Sequence, residues 1–178
     1  TENKGQWGES ILFKAQVDGG ALFIEKQGIT FNFYDKLSYR SLHTGGRNLT
    51  ANQRGKLNCH AYRLNFVGCN PTFEIKKTEK GEDYENFFRG NDASKWKSAV
   101  PNFKRLRFNG IYSGIDYEAI ASTRGMKYNF YVRAGADPSS IQLNYEGVEE
   151  LRLKNGVLYI QLSVNGVIEQ EPYAYQLI

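Results

Sequence analysis

The chain has 178 residues, of which 40% are hydrophobic and 24% charged, a composition that excludes a disordered segment and suits one globular domain. Its net charge of +4 is scattered rather than run together, so it carries no dense nucleic-acid footprint. No apolar run approaches the roughly 18 residues of a membrane helix.

Aromatic residues are abundant, with 12 Tyr, 11 Phe and 2 Trp against one Met, and Tyr and Phe favour half-buried strand surfaces. Alternation with a period of two runs from end to end and predicts strands. Segments 11–17 and 21–25 flank Gly19-Gly20 as a hairpin. Gly28 opens the next strand, which places Ile29, Phe31 and Phe33 on one face. The stretch 35–58, with Gly45-Gly46, Asn48, Asn52 and Gly55, reads as a long polar surface loop. His60, Tyr62, Leu64 and Phe66 then form the inward face of a strand.

A short strand over 73–77 leads to a plain turn at 79–83, and 84–100 is the least strand-like part. Within it Asp92 is placed to cap a short helical turn over 93–97, which Pro101 closes. Segment 103–108 ends at Asn109-Gly110, and 115–120 leads through Arg124-Gly125 into 126–132. Asp137-Pro138 breaks the chain before 141–145. Leu151 and Leu153 precede Asn155-Gly156, and Leu158, Ile160, Leu162 and Val164 precede Asn165-Gly166, two pairs suited to type I′ turns. The predicted fold class is all-β: one domain over 1–178, a mostly antiparallel β-sandwich of about a dozen short strands with one short helical turn.

Cys59 and Cys69 bracket a continuous strand pattern. At about 3.3 Å per residue the ends of such a strand lie roughly 30 Å apart, whereas a disulfide needs Cα atoms within about 7 Å. Both are therefore read as free thiols, and they leave the redox compartment open.

The motifs Gly135-Ala-Asp-Pro138, Ile141-Gln-Leu-Asn-Tyr-Glu-Gly147, Leu151-Arg-Leu, Asn155-Gly-Val-Leu and Glu171-Pro-Tyr-Ala-Tyr-Gln176 occur in a fixed order. With Glu2-Asn-Lys-Gly-Gln-Trp7, Asn86-Phe-Phe-Arg-Gly-Asn-Asp92, Lys95-Trp96 and Ile111-Tyr-Ser-Gly-Ile-Asp-Tyr117 they extend over nearly the whole chain. The set resembles the N-terminal all-β domain of large Bacteroidota surface proteins, where it precedes SBBP-type β-propeller repeats. Those proteins commonly end in a gliding-motility-associated sorting domain for type IX secretion. The resemblance implies an extracellular or outer-surface location, with the downstream domains of the same polypeptide as partners. It supplies no catalytic residue, and fold-level analogy cannot supply chemistry.

Several residues invite a sharper reading. Cys59 and His60 are adjacent and point to opposite faces of a strand, so they form no nucleophile–base dyad. Asp116 and Glu118 share a face about 6.6 Å apart, close to the carboxylate spacing of inverting glycosidases. Such pairs normally come from different strands around a cleft, so a charged outer face is preferred and no catalytic residue is assigned. Asn91, Asp92 and Asp116 offer oxygen ligands for calcium, but no dense Asp/Asn repeat accompanies them. Capping by Asp92 is preferred, and no metal or other cofactor is assigned.

Trp7 and Trp96 can stack on sugar rings, and Trp96 is favoured because it falls outside the regular strands. Lys95, Lys97, Lys104, Arg105 and Arg107 form the densest basic cluster. Ligand binding is accordingly assigned to Trp96, Lys95, Lys97, Arg105 and Arg107, with surface polysaccharide as the external partner and nucleic acid excluded. The expected function is a noncatalytic extracellular module of a larger secreted protein, in adhesion or as a structural cap for downstream repeats. A carbohydrate-binding module is the alternative, and a polysaccharide-active enzyme a more distant one.

Overall fold

Strands that carry Phe, Leu and Ile at every second position must cover that face with a second apolar surface. In the computed structural model, residues 1–43, 56–122 and 125–176 are described. The first strands in chain order are β1 (Ile11–Val17), β2 (Gly20–Glu25), β3 (Gly28–Tyr34) and β4 (Cys59–Phe66). Then come β5 (Glu74–Phe87), β6 (Lys97–Tyr112), β7 (Ile115–Ser122) and β8 (Gly125–Val132). The last are β9 (Leu143–Glu146), β10 (Glu150–Lys154), β11 (Val157–Gln161) and β12 (Gly166–Glu169). They form three sheets, ordered β1-β2-β3-β4-β9, β5-β6-β7-β8 and β10-β11-β12. The β5–β8 and β10–β12 sheets are antiparallel throughout, as is the β1–β2 pair. The all-β, mostly antiparallel architecture read from the alternation is the one observed.

The chain divides into two compact units, Thr1–Phe31 with Arg63–Asn144 and Asn32–Tyr62 with Tyr145–Ile178. In the first, two sheets pack face to face. Phe13, Leu22, Ile24, Ile29, Leu64 and Phe66 on one side meet Leu106, Phe108, Tyr117 and Ala119 on the other, all buried. The Phe66 and Tyr117 rings, 4.9 Å apart, join the two sheets. Burial of each large side chain contributes about 1.5–3 kcal/mol. In the second unit Tyr62 stacks with Phe33 at 6.4 Å and with Tyr145 at 6.5 Å. Ile160 and Leu162 are buried from β11 and the turn that follows it.

Three segments depart from the sequence reading. Within 35–58 the chain forms a helix, α1 (Lys36–His43), while 44–55 lies outside the described residues. Asp35 is the cause: its carboxylate accepts the amide hydrogens of Leu37 at 3.2 Å and Ser38 at 2.9 Å, as an N-cap does. The Ser38 amide bond is the main reason that its pKa is lowered.

The second departure is 79–100, where β5 and β6 make one long hairpin. Glu79 and Ala99 take positive φ of 51° and 53°, and the register shifts between Lys80 and Tyr84 and again between Glu85 and Phe87. Bulges interrupt the period of two, which conceals a strand from pattern reading. The connecting segment holds the expected capped turn, a 3-10 turn over Ala93–Lys95, and a second one spans Pro138–Ser140.

Third, only one Asn-Gly pair makes a type I′ turn. Asn155 and Gly156 have φ of 51° and 77° between β10 and β11. Gly166 instead pairs with Gln161 as the first residue of β12, and Leu162, just past the end of β11, is buried at 1% exposure. Asn109-Gly110 is likewise internal to β6, and the turn into β7 is Ser113-Gly114. Cys59 is exposed and Cys69 half-buried, and both are free.

Two glycines test this packing. A Cβ on Gly28 would strike the Leu64 carbonyl oxygen, whereas one on Gly68 would meet open space at a φ of +67°. Gly28→Ala is expected to cost roughly 2–3 kcal/mol by overpacking, and Gly68→Ala about 1 kcal/mol from its backbone alone. Denaturant titration of both variants checks the order; equal costs would contradict the close approach at Gly28.

Candidate functional site

The outer face of β7 was the one place where paired carboxylates suggested chemistry. Asp116 and Glu118 are there, but arginines and a tyrosine cover them, leaving 4% and 7% exposed. Asp116 receives Arg107 at 3.0 Å, Arg133 at 3.1 Å and the Gly110 amide at 2.7 Å. Glu118 accepts from the Tyr131 hydroxyl at 2.8 Å, Asn129 at 3.3 Å and Arg105 at 3.4 Å. The Arg107 guanidinium lies 4.0 Å above the Tyr131 ring, and Arg105 also pairs with Glu79.

Burial pushes the Asp116 carboxyl up, but the Gly110 amide, Arg107 and Arg133 outweigh it and leave its pKa below the ordinary value. A general acid needs the opposite shift. Tyr131 is raised, first by its bond to the Glu118 carboxylate. This arrangement pins strands together and holds Asp116 as a charged acceptor.

Arg105 and Arg107, two of the expected ligand-binding residues, are therefore committed to internal partners. The other three gather near the distal end of the β5–β6 hairpin. Asp92 accepts the Ser94 amide at 3.1 Å and its hydroxyl at 2.7 Å, folding the 3-10 turn; the Ser94 hydroxyl is the main cause of its lowered pKa. The turn delivers Trp96, whose indole N–H donates to the Gly90 carbonyl at 3.2 Å. The Phe88 ring meets Trp96 edge-on at 5.5 Å, with Phe88 59% and Trp96 42% exposed. Tyr84 is exposed on the same hairpin, and Lys95 pairs loosely with Asp92 at 3.7 Å. Lys97 opens β6 immediately after Trp96.

Asn91 is exposed beside Asp92, and Asp116 belongs to the arginine network, so the weak calcium candidates fall in two places. Among the described residues no three His, Cys, Asp or Glu side chains gather as a metal site.

One arrangement was not foreseen. His60 Nδ1 accepts the Ser163 amide hydrogen at 3.1 Å, so the ring proton sits on Nε2 and is donated to the Gly147 carbonyl at 2.6 Å. The Ser163 hydroxyl lies 2.8 Å from the same Nδ1. The pair has the separation of a nucleophile and its base. The Nδ1 lone pair already faces a backbone amide, however, so His60 clips two turns together. Ser163 lies 103 residues away from it in sequence, in a turn without any motif, and no sequence signal marks the pair.

The family described as Domain of unknown function (DUF7948) matches residues 1–178. No curated protein matches the chain, and no solved structure matches it.

The Asp116 network makes a testable demand. Asp116→Asn leaves Arg107 and Arg133 facing a neutral group, which is expected to cost about 2 kcal/mol at neutral pH, less than a fully buried pair because both arginines are partly solvated. A depressed carboxyl pKa stabilises above the unfolded value of about 4 and loses that contribution as pH falls through the folded value. The stability gap between wild type and Asp116→Asn should thus close on acidification below about pH 4. Thermal unfolding across pH measures it; a constant gap would rule out the charge as its origin.

Proposed function

We propose that this chain, which belongs to the DUF7948 family over residues 1–178, is a noncatalytic extracellular or cell-surface module of a larger secreted protein and acts in adhesion. The observation that carries the reading is the Phe88–Trp96 pair, two exposed aromatic side chains fixed at the end of a long hairpin. Large aromatics presented rigidly give contact area at low entropic cost, which is what a binding surface needs. The commitment of Asp116 and Glu118 to arginines supports the noncatalytic part. The resemblance to Bacteroidota modules that precede SBBP repeats and type IX sorting domains supports the surface setting, with surface polysaccharide as the external partner.

A second reading, a structural cap for downstream domains of the same polypeptide, has its own support. Leu151 and Leu153 lie on one face of β10 and are 45% and 71% exposed, and Tyr173 and Tyr175 are 87% and 72% exposed. Leucines left in water favour cover by another surface.

Beads that carry the purified chain are expected to retain extracted bacterial surface polysaccharide. Phe88→Ala combined with Trp96→Ala should lower retention roughly tenfold, about 1.4 kcal/mol, with the melting temperature held. Undiminished retention by the double variant would remove the hairpin end as the adhesive element and leave the cap reading.

A further inference from the structure

A groove of about 430 Å³ lies in the first unit, and its lining includes Glu2, Trp7, Glu9, Ile11, Ile75 and Lys77. Its volume is that of a small-molecule site, for which about 300–1,000 Å³ is usual. Its surface is more apolar than polar, with charged groups at a few points, the composition that orients a ligand while burying it.

The walls are held in place before any ligand arrives. Asn3 organises the loop that carries Trp7: its amide nitrogen donates to the carbonyls of Ile11 at 2.7 Å and Gly8 at 3.0 Å, and its oxygen accepts the Gly5 amide at 2.9 Å. The Trp7 ring is braced by the edge of Phe87 at 5.3 Å, with the Lys14 ammonium 5.8 Å from its centroid. Glu2 is paired with Lys77 at 2.9 Å and with Lys4 at 3.2 Å, its side chain only 14% exposed. Burial pushes the Glu2 carboxyl up, but Lys77 and Lys4 outweigh it and hold it below the ordinary carboxylate range. It stays a charged acceptor, and its two oxygens offer about four lone-pair sites, more than the lysines use.

Resting on the reading of the chain as a binding module, we propose that this groove binds a neutral sugar ring of a glycan chain. A pyranose has an apolar C–H face and a rim of hydroxyls that each donate and accept. The face matches Trp7, Ile11 and Ile75, as aromatic and aliphatic walls suit it. The rim matches Glu2 and Glu9, which accept, and Lys77, which donates. A purely apolar ligand would take water from these charges without offering them a hydrogen bond, at a desolvation cost. The lining holds Glu2 and Glu9 beside Lys77, with Lys4 and Lys14 next to it, so the groove offers acceptors and donors together to sugar hydroxyls rather than a uniformly positive surface for a polyanion. Of the basic cluster of β6, Arg105 and Arg107 are already paired with Glu79, Glu118 and Asp116, while Lys97 lies against Gly5 in the groove lining.

Isothermal titration calorimetry of the full chain with cello-, manno- and xylo-hexaose tests the site, with oligogalacturonate as the acidic comparison. At least one neutral hexaose is expected to bind saturably and more tightly than oligogalacturonate. Glu9→Lys and Lys77→Met should each weaken that binding at least about tenfold, with circular dichroism spectra unchanged. The proposal is overturned if no neutral hexaose saturates up to about 10 mM, if the acidic oligomer binds more tightly, or if both variants bind as wild type does. Retention of surface polysaccharide that depends on Phe88 and Trp96 would survive each of those outcomes, so failure of the groove and failure of the adhesive reading are told apart.

Discussion

Tyr117 stands at the centre of the first unit, 1% exposed, with the rings of Phe66, Phe108 and Phe130 at 4.9, 5.6 and 5.3 Å and that of Tyr128 at 5.9 Å. These contacts tie β4, β6, β7 and β8 to one another. Side chains alternate along a strand, so placing Tyr117 inward sends Asp116 and Glu118 outward, and a slip of one residue would reverse both faces. Phe108 opposite Tyr117, and Tyr117 opposite Phe130, carry that choice across three strands. Aromatic pairs of this kind contribute about 0.5–1.5 kcal/mol each beyond the area they bury.

The outer face follows from the same register. Arg107 is directly opposite Glu118, and Tyr131 directly opposite Asp116, yet the closest ion pair of Arg107 is with the diagonal neighbour, Asp116. Diagonal contacts of this type suit long side chains on a twisted sheet. The bulge at Gly110, where φ is +69°, turns its amide towards Asp116. A bulge that ends regular pairing here supplies the extra donor that keeps a nearly buried carboxylate charged. What resembled a catalytic pair in one dimension is therefore a fastening between strands.

Contact surfaces are left to the parts of the fold that the sheets do not consume. The Phe88–Trp96 pair is carried on the connection between two long strands, and Trp7 on a loop folded around one asparagine side chain. Both are short excursions from rigid elements, the usual placement for binding residues. Their surroundings differ. The hairpin end exposes Trp96 beside Phe88, with Lys95 paired to Asp92, whereas Trp7 lines a groove with Glu2, Glu9 and Lys77. Two tryptophans thus stand among different neighbours.

The alternation of Ile29, Phe31 and Phe33, and of Tyr62, Leu64 and Phe66, was enough to determine an all-β chain and its inward faces, because a period of two is a local property of the backbone. Asp92 announced its turn in the same way, and Asn155-Gly156 its hairpin, since capping and positive φ depend on one or two neighbouring residues. Glu79, Ala99 and Gly110 broke the pattern with bulges, and only the completed hairpins showed that the strands run through them. Asp35 as the cap of α1 was legible in principle, but a helix of eight residues in a polar stretch carries too little periodicity to be seen. The partners of Asp116, the clip of His60 to Ser163 and the groove beside Trp7 were decided by tertiary structure alone. Each joins residues far apart in sequence, and side-chain chemistry by itself does not say which distant group will arrive at hydrogen-bonding distance.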